Sequence, residues 1–274
     1  MIARHPRASP GTTAAKHRPR KRFGQHFLVD RGYIDRIVAA IAPAADDTIV
    51  EIGPGLAALT RPLLDRVARL QVVEIDRDLA AQLAAQWPAD RLRVHVADAL
   101  QFDFGALGEN LRVVGNLPYN VSSPLLFHLA AFAPRLRDIT VMLQKEVVQR
   151  IAAAPATPDY GRLSVMLQVA FAAKRLFDVP PGAFRPPPKV DSAVVRLVPL
   201  DAAPAIADRE LFAAVVGAAF GQRRKTLRNA LIACAAANDF AEAEIDPGAR
   251  GETLPVGAFV RLANAIARRS DASG

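Results

Sequence analysis

Short apolar runs alternate with helix-patterned segments from residue 48 to residue 152, and the first four runs each lead into residues able to do chemistry. Thr48–Ile52 runs into Gly53-Pro54-Gly55 and a helical pattern from about Leu56 to Val67. Leu70–Ile75 carries Glu74 and leads to Asp76, with a helix over Asp78–Trp87 that Pro88 stops. Arg91–Val96 leads to Asp98, and Leu111–Val114 to Asn116, followed by a helix over Pro124–Phe132. Asp138–Leu143 reads as a further strand, with Lys145–Ala152 helical behind it. Strands separated by helices pair in parallel and are covered on both faces. The predicted fold is therefore α/β and Rossmann-like. The carboxyl ends of such strands share one crevice where ligands bind, so the glycine turn, Glu74, Asp98 and Asn116 should converge.

The pattern changes after residue 152. Tyr160–Ala172 reads as a helix, Val179–Pro188 as a stiff proline-rich loop and Ser192–Pro199 as an edge strand. Asp201–Ala207 looks like a linker. From residue 208 the pattern is helical, with breaks at Asp246-Pro247-Gly248 and Pro255, which predicts a small all-helical domain over 208–274 beside a large one over 21–200. Residues 1–20 hold Arg4, Arg7, Lys16, Arg18 and Arg20 with no acid, and read as a disordered basic arm. A net charge of +8 points to an anionic partner, most often nucleic acid. No apolar run approaches the roughly 20 residues that span a bilayer, and no signal-type apolar region opens the chain, so a cytoplasmic protein with no membrane partner is expected. The single cysteine, Cys234, excludes an intrachain disulfide and a cysteine-cluster zinc site; it sits in an apolar stretch and reads as a small core residue, and no metal is expected.

Glu51-Ile52-Gly53-Pro54-Gly55, between a strand and a helix, lets backbone approach a ligand closely. The third glycine of a dinucleotide fingerprint is Ala57 or Ala58 here, and no P-loop lysine follows. Glu74, about twenty residues on, can accept from both hydroxyls of a ribose. Alone, this pair divides between NAD and S-adenosylmethionine. Glu51 tips the balance, because it would repel a pyrophosphate and suits the cationic methionine end of S-adenosylmethionine. Asp98 can accept from an adenine amino group, or simply N-cap a helix starting at Ala99.

Asn116-Leu117-Pro118-Tyr119 can present an exocyclic amine. The Asn116 side-chain oxygen and the Leu117 carbonyl each accept one N–H, and Tyr119 offers a face for the ring. Accepting both hydrogens favours a tetrahedral nitrogen whose lone pair points at an electrophile, so no strong general base is needed. Phe184, in the proline-stiffened loop, is the candidate second stacking aromatic or else a core plug; stacking is worth roughly 1–3 kcal/mol per base.

These residues belong to longer motifs. Arg22–Leu28, Val50–Gly55, Glu74–Asp76, Asn116–Asn120, Leu143–Glu146, Tyr160–Ser164, Phe184–Ser192 and Gln222–Arg228 together resemble the ribosomal RNA adenine dimethyltransferases, from about Lys21 to Arg268. The resemblance implies a class I methyltransferase sheet with a small C-terminal helical domain. It also implies transfer of two methyl groups from S-adenosylmethionine to N6 of each of two adjacent adenosines in the 3′-terminal hairpin of 16S rRNA, during small-subunit biogenesis. It places His26 and Leu28 in the cofactor pocket beside Glu51, Gly53, Gly55, Glu74, Asp98 and Asn116. Position 26 is often Asn in that family, which leaves the His26 side chain without an assigned role.

Arg223, Arg224, Lys225 and Arg228 form an acid-free cluster, with Arg224 and Arg228 expected on one helix face. Beside the resemblance they read as RNA contacts, with Lys189, Arg185 and Lys145 extending the track toward the site. Phosphate contacts of this kind position a substrate, while the base pocket decides which atom reacts. The implied partner is 16S rRNA in an immature small subunit, and a monomer is expected. Three rivals stay open at this level: a nicotinamide-dependent oxidoreductase, a non-enzymatic RNA-binding factor and a DNA adenine methyltransferase.

Overall fold

The structure is a computed structural model and describes residues 26–222 and 224–271. The basic arm and Arg223 lie outside the described residues. Strands β1 (Phe27–Leu28), β2 (Ile49–Ile52), β3 (Leu70–Glu74), β4 (Leu92–Val96), β5 (Leu111–Asn116) and β6 (Leu136–Gln144) are followed by β7 (Phe171–Val179), β8 (Phe184–Arg185) and β9 (Ser192–Pro199). Among the described residues, seven of these form one sheet in the order β4-β3-β2-β5-β6-β9-β7. Pairing is parallel from β4 to β6 and antiparallel on both sides of β9. β1 and β8 pair separately, Phe27 with Arg185 and Leu28 with Phe184.

Helices α1 (Arg31–Ile41), α2 (Thr60–Leu64), α3 (Arg77–Gln86), α4 (Ser122–Ala130), α5 (Lys145–Ile151) and α6 (Arg162–Gln168) belong to the sheet region. The sheet is apolar on both faces, as the sequence predicts for crossover-connected strands. Side chains alternate between two cores: Val113 packs with Leu125, Ile139 and Leu143, while Val114 packs with Leu63, Val72 and Val194. Burying each such side chain contributes ~1.5–3 kcal/mol.

Helices α7 (Arg209–Gly221), α8 (Leu227–Ala230), α9 (Ala237–Glu242) and α10 (Val256–Asp271) form the C-terminal helical region. Asp208 starts it by accepting hydrogen bonds from the Glu210 and Leu211 amides. Its core of Phe212, Val216, Phe259 and Leu262 also takes in Tyr160, Val165 and Val169 from around α6. Cys234 packs at the border of this core, and burial raises its thiol pKa, in keeping with a packing role.

Three expectations need correction. The helix after the glycine turn begins at Thr60 rather than Leu56, because Ala57 takes φ 66° and breaks the helical run. The expected helix over Tyr160–Ala172 ends at Gln168, and Phe171–Val179 is a strand. Ser192–Pro199 is an interior strand, not an edge, since β7 covers its far side.

Candidate active site

Three of the chemically loaded turns are each fixed to a neighbouring strand by a backbone bond. Gly53 N–H donates to the Val73 carbonyl at 3.0 Å, Ala97 N–H to the Glu74 carbonyl at 3.1 Å, and Leu117 N–H to the Met142 carbonyl at 3.1 Å. The turns therefore inherit the spacing of the sheet. Gly115 lets β5 run close beside β2 just before Asn116: a Cβ there would stand 2.5 Å from the Ile52 carbonyl oxygen.

The glycine turn carries left-handed backbone at Gly53 (φ 65°), Gly55 (φ 55°) and Ala57 (φ 66°). Ala57 stands where a third glycine was sought and holds a conformation costing roughly 1–2 kcal/mol for a residue with a side chain. A Cβ on Gly55 would meet the Phe27 ring at 3.1 Å. Glu74 holds the turn from the next strand, accepting from Gly55 N–H through Oε2 at 3.3 Å and from Asp76 N–H through Oε1 at 2.9 Å. Each oxygen keeps a second lone pair for a ligand hydroxyl. Burial raises the Glu74 pKa, against the Asp76, Gly55 and Ile75 amides that lower it.

Glu51 is 2% exposed and accepts a hydrogen bond from the Thr60 hydroxyl at 2.7 Å. Burial pushes its pKa up to about 8, with the nearby Glu74 charge adding to the rise and Thr60 opposing it. Thr60 gave no sequence signal. A buried carboxyl that gains a proton this easily is poised for a cationic ligand group.

His26, Leu28, Glu51, Gly55, Asn116 and Tyr119 line one part of the cleft; Ile75, Asp98 and Leu100 line the other. Gly53, Glu74 and Pro118 border both, so the two parts are continuous. The second part is mostly apolar, and Asp98 stands at its edge. Asp98 Oδ1 accepts from Leu100 N–H at 2.9 Å, so it closes a turn; no helix starts at Ala99, and Oδ2 remains for a ligand. The lining contains two buried carboxyls and neither lysine nor arginine. This donor set suits a nucleoside carrying a cationic tail and disfavours a pyrophosphate.

Asn116 Nδ2 donates to the His26 carbonyl at 2.9 Å. A carbonyl only accepts, so this bond fixes which end of the amide is nitrogen and leaves Oδ1 as an acceptor. Among the described residues no hydrogen bond uses the Leu117 carbonyl. The Leu117 side chain is core, 1% exposed. Tyr119 is half-buried, its hydroxyl 2.6 Å from Ser192 Oγ. Burial raises its phenol pKa.

Phe184 does not offer a stacking face as it stands. It is 0% exposed and packs with Leu28, Val179, Ala183 and Val194. Its backbone pairs with Leu28, so the motif positions the N-terminal segment over the cleft. The basic track is also revised. Arg224 and Lys225 sit in the turn before α8, so Arg224 and Arg228 do not share a helix face; all three, and Lys189, are exposed. Lys145 is neutralised by Asp178 at 2.9 Å and Asp191 at 3.7 Å, and Arg185 donates to the Gly182 and Phe184 carbonyls. Lys145 therefore adds no free charge to the track, whereas Arg185 keeps its charge and is exposed. Among the described residues no helix is long and apolar enough to cross a membrane.

With this geometry in view, the chain was compared with known proteins. The sequence model of a family described as ribosomal RNA adenine dimethylase matches residues 16–268. A ribosomal RNA small subunit methyltransferase A of Thiobacillus denitrificans is 60% identical over 255 residues, covering 92% of this chain and 100% of the relative. Its counterpart in Aromatoleum aromaticum is 60% identical over 257 residues, covering 93% and 97%. Among solved structures, the 23S rRNA methyltransferase ErmE superposes with a TM-score of 0.66 at 28% identity, over 88% of this chain and 99% of that one. A dimethyladenosine transferase from Plasmodium falciparum shares the fold, with a TM-score of 0.75 at 23% identity over 89% and 98%.

Proposed function

This chain belongs to the ribosomal RNA adenine dimethylase family, and from that premise we propose that the cleft transfers methyl groups to N6 of two adjacent adenosines near the 3′ end of 16S rRNA. The observation that carries the reading is the Asn116 amide, held by the His26 carbonyl so that Oδ1 and the Leu117 carbonyl are left as acceptors. S-adenosylmethionine supplies an electrophilic methyl group on a positively charged sulfur. Glu74 would hold its ribose, Asp98 and the apolar slot its adenine, Glu51 its ammonium, and the backbone of Gly53 and Gly55 would approach it closely. Leu28 and the residue 26 backbone close the cleft from above.

Asn116 and Leu117 accept the two hydrogens of the target amine and turn its lone pair outward, while Tyr119 supports the base. The nitrogen sheds its proton after the positive charge has formed, so the chain has to supply alignment rather than a strong base. Arg224, Lys225, Arg228 and Lys189, together with Arg223 outside the described residues, bind phosphates of the substrate. The substrate is a partly assembled small subunit, and the enzyme acts as a cytoplasmic monomer.

The test is methyl transfer from labelled S-adenosylmethionine to immature small subunits lacking this modification, followed by nuclease digestion and mass spectrometry. N6,N6-dimethyladenosine is the expected product. Its absence, with S-adenosylhomocysteine still bound, would sink the substrate assignment and leave DNA or large-subunit RNA to be tested.

Two further outcomes follow. A proton held on Glu51 near neutral pH, and displaced by a ligand ammonium, makes binding of S-adenosylhomocysteine release protons. Calorimetry in buffers of different ionisation enthalpy should detect this release in the wild type and lose it in Glu51→Gln; equal release in both would remove Glu51 from the ammonium site. Replacing Arg224 and Arg228 together with Gln should weaken RNA binding across sequences and lower the log–log salt slope by about 1–2, at roughly 0.7–0.9 per phosphate contact. An unchanged slope would mean these side chains are simply solvated.

A further inference from the structure

His26 stands where three segments meet. Its Nδ1 lies 2.9 Å from the Pro186 carbonyl oxygen, which can only accept, so Nδ1 carries the proton and donates. Its own carbonyl accepts from Asn116 Nδ2 at 2.9 Å. Its ring lies 5.7 Å from the Tyr119 ring, the planes inclined by 26°. The ring is half-buried, so it is not a core residue. One residue thus joins the proline-rich loop to both ends of Asn116–Tyr119.

We infer that the His26 side chain is a positioning residue for the acceptor base. The imidazole, fastened to Pro186, sets where the residue 26 carbonyl stands. That carbonyl fixes the rotation of the Asn116 amide and so determines that oxygen, not nitrogen, meets the target amine. The same ring backs Tyr119, which the Ser192 hydroxyl holds at its far end. Loss of the imidazole leaves the carbonyl in place chemically but frees its position. A shorter side chain that can still donate to Pro186 should recover much of the arrangement. This inference rests on reading Asn116–Tyr119 as the acceptor pocket.

The experiment compares His26→Ala and His26→Asn in the full chain, measuring S-adenosylhomocysteine affinity, thermal stability, and kcat and KM for immature small subunits. For His26→Ala the affinity should be unchanged and kcat should fall about tenfold or more, because small misplacements of reacting groups are costly. KM for the subunit should change little. His26→Asn, whose amide can donate to the Pro186 carbonyl, should restore most of kcat. If His26→Ala loses cofactor affinity in step with kcat, the ring belongs to the cofactor site and the inference is overturned. It is equally overturned if His26→Ala melts lower yet keeps the wild-type kcat, since the ring is then only a tether. Asn116→Ala separates the two readings: inactive Asn116→Ala beside fully active His26→Ala removes only the His26 assignment, whereas full activity in both removes the acceptor pocket itself.

Discussion

Asn116→Ala is expected to lower kcat for methyl transfer by about 10²–10³-fold, the usual cost of removing one preorganised polar group aimed at a reacting centre. Binding of S-adenosylhomocysteine should survive, because Glu74, Asp98 and the glycine turn, proposed above to hold its ribose and adenine, are left untouched. The size of the effect follows from how firmly the amide is held. Its nitrogen is committed to the His26 carbonyl, so the oxygen is presented without any conformational search by the substrate. Asn116→Asp makes a sharper comparison. It keeps an oxygen on the substrate side but places a second oxygen against the His26 carbonyl, where two acceptors repel; it should therefore also lose activity although it can accept from the amine. Single-turnover rates and calorimetric affinities on both variants would check this. Near-normal turnover of Asn116→Ala with intact cofactor binding would sink the proposed chemistry.

The second large effect is on stability. Arg112→Met is expected to cost about 3–5 kcal/mol, the range found when one partner of a buried ion pair is removed. Arg112 lies on β5, its side chain 4% exposed. It donates to Asp138 Oδ1 at 3.1 Å and Oδ2 at 2.7 Å, to Asp47 Oδ2 at 2.5 Å, and to the Ile41 and Ala42 carbonyls at 2.6 Å and 3.2 Å. These contacts tie the amino end of β5 to β6, to the end of α1 and, through Asp47, to the loop before β2. Removing the guanidinium strands a carboxylate at Asp138 that is 6% exposed. Urea denaturation would measure the loss, and Arg112→Met with Asp138→Leu should be more stable than Arg112→Met alone, because no buried charge is then left without its partner.

The pH dependence of this corner has a definite sign. Burial tends to raise the Asp47 pKa, but the Ala44 amide and the Arg112 and Arg137 guanidinium groups outweigh it, and the net shift is downward. A depressed carboxylate stabilises the fold above its unfolded value and loses that contribution as pH falls through the folded one. Glu51 works the other way: its raised pKa makes the folded state bind the extra proton, so its contribution declines as pH rises from the ordinary carboxylate range toward about 8.

The meeting of Glu74, Asp98 and Asn116 at one cleft was readable because parallel sheets bring strand ends together, and each stands at or just after the end of an apolar run. β7 was not readable, because the register shifts between Arg175 and Phe177 and destroys the alternation a strand should show. Phe184 misled for a related reason: a proline-rich loop looks exposed, yet here it turns its aromatic inward against Leu28, a contact spanning most of the chain. Lys145 looked like part of a basic track because its neutralising acids, Asp178 and Asp191, are distant in sequence. Thr60 and Ser192 carry the same lesson. Each hydroxyl serves a site residue on another element, and only folding reveals the pair.

The insertion of β9 between β6 and β7 also sets an order of events during synthesis. Strands β2 to β6 leave the ribosome in sequence, and from β3 on each finds a parallel neighbour already made. β7 emerges next and has no edge to join until β9 arrives. Ser192, the partner of the Tyr119 hydroxyl, is the first residue of β9, and Pro186 and β8, which anchor His26 and β1, lie only a few residues before it. A nascent chain can thus lay down the strand-end turns of the cleft from its first 144 residues, yet the Phe27–Leu28 wall and the Tyr119 hydroxyl gain their anchors only when the stretch from Phe184 to Pro199 has been delivered. Truncated or stalled products would carry the glycine turn, Glu74 and Asp98 while lacking the segment that fixes Leu28, His26 and Tyr119 in place.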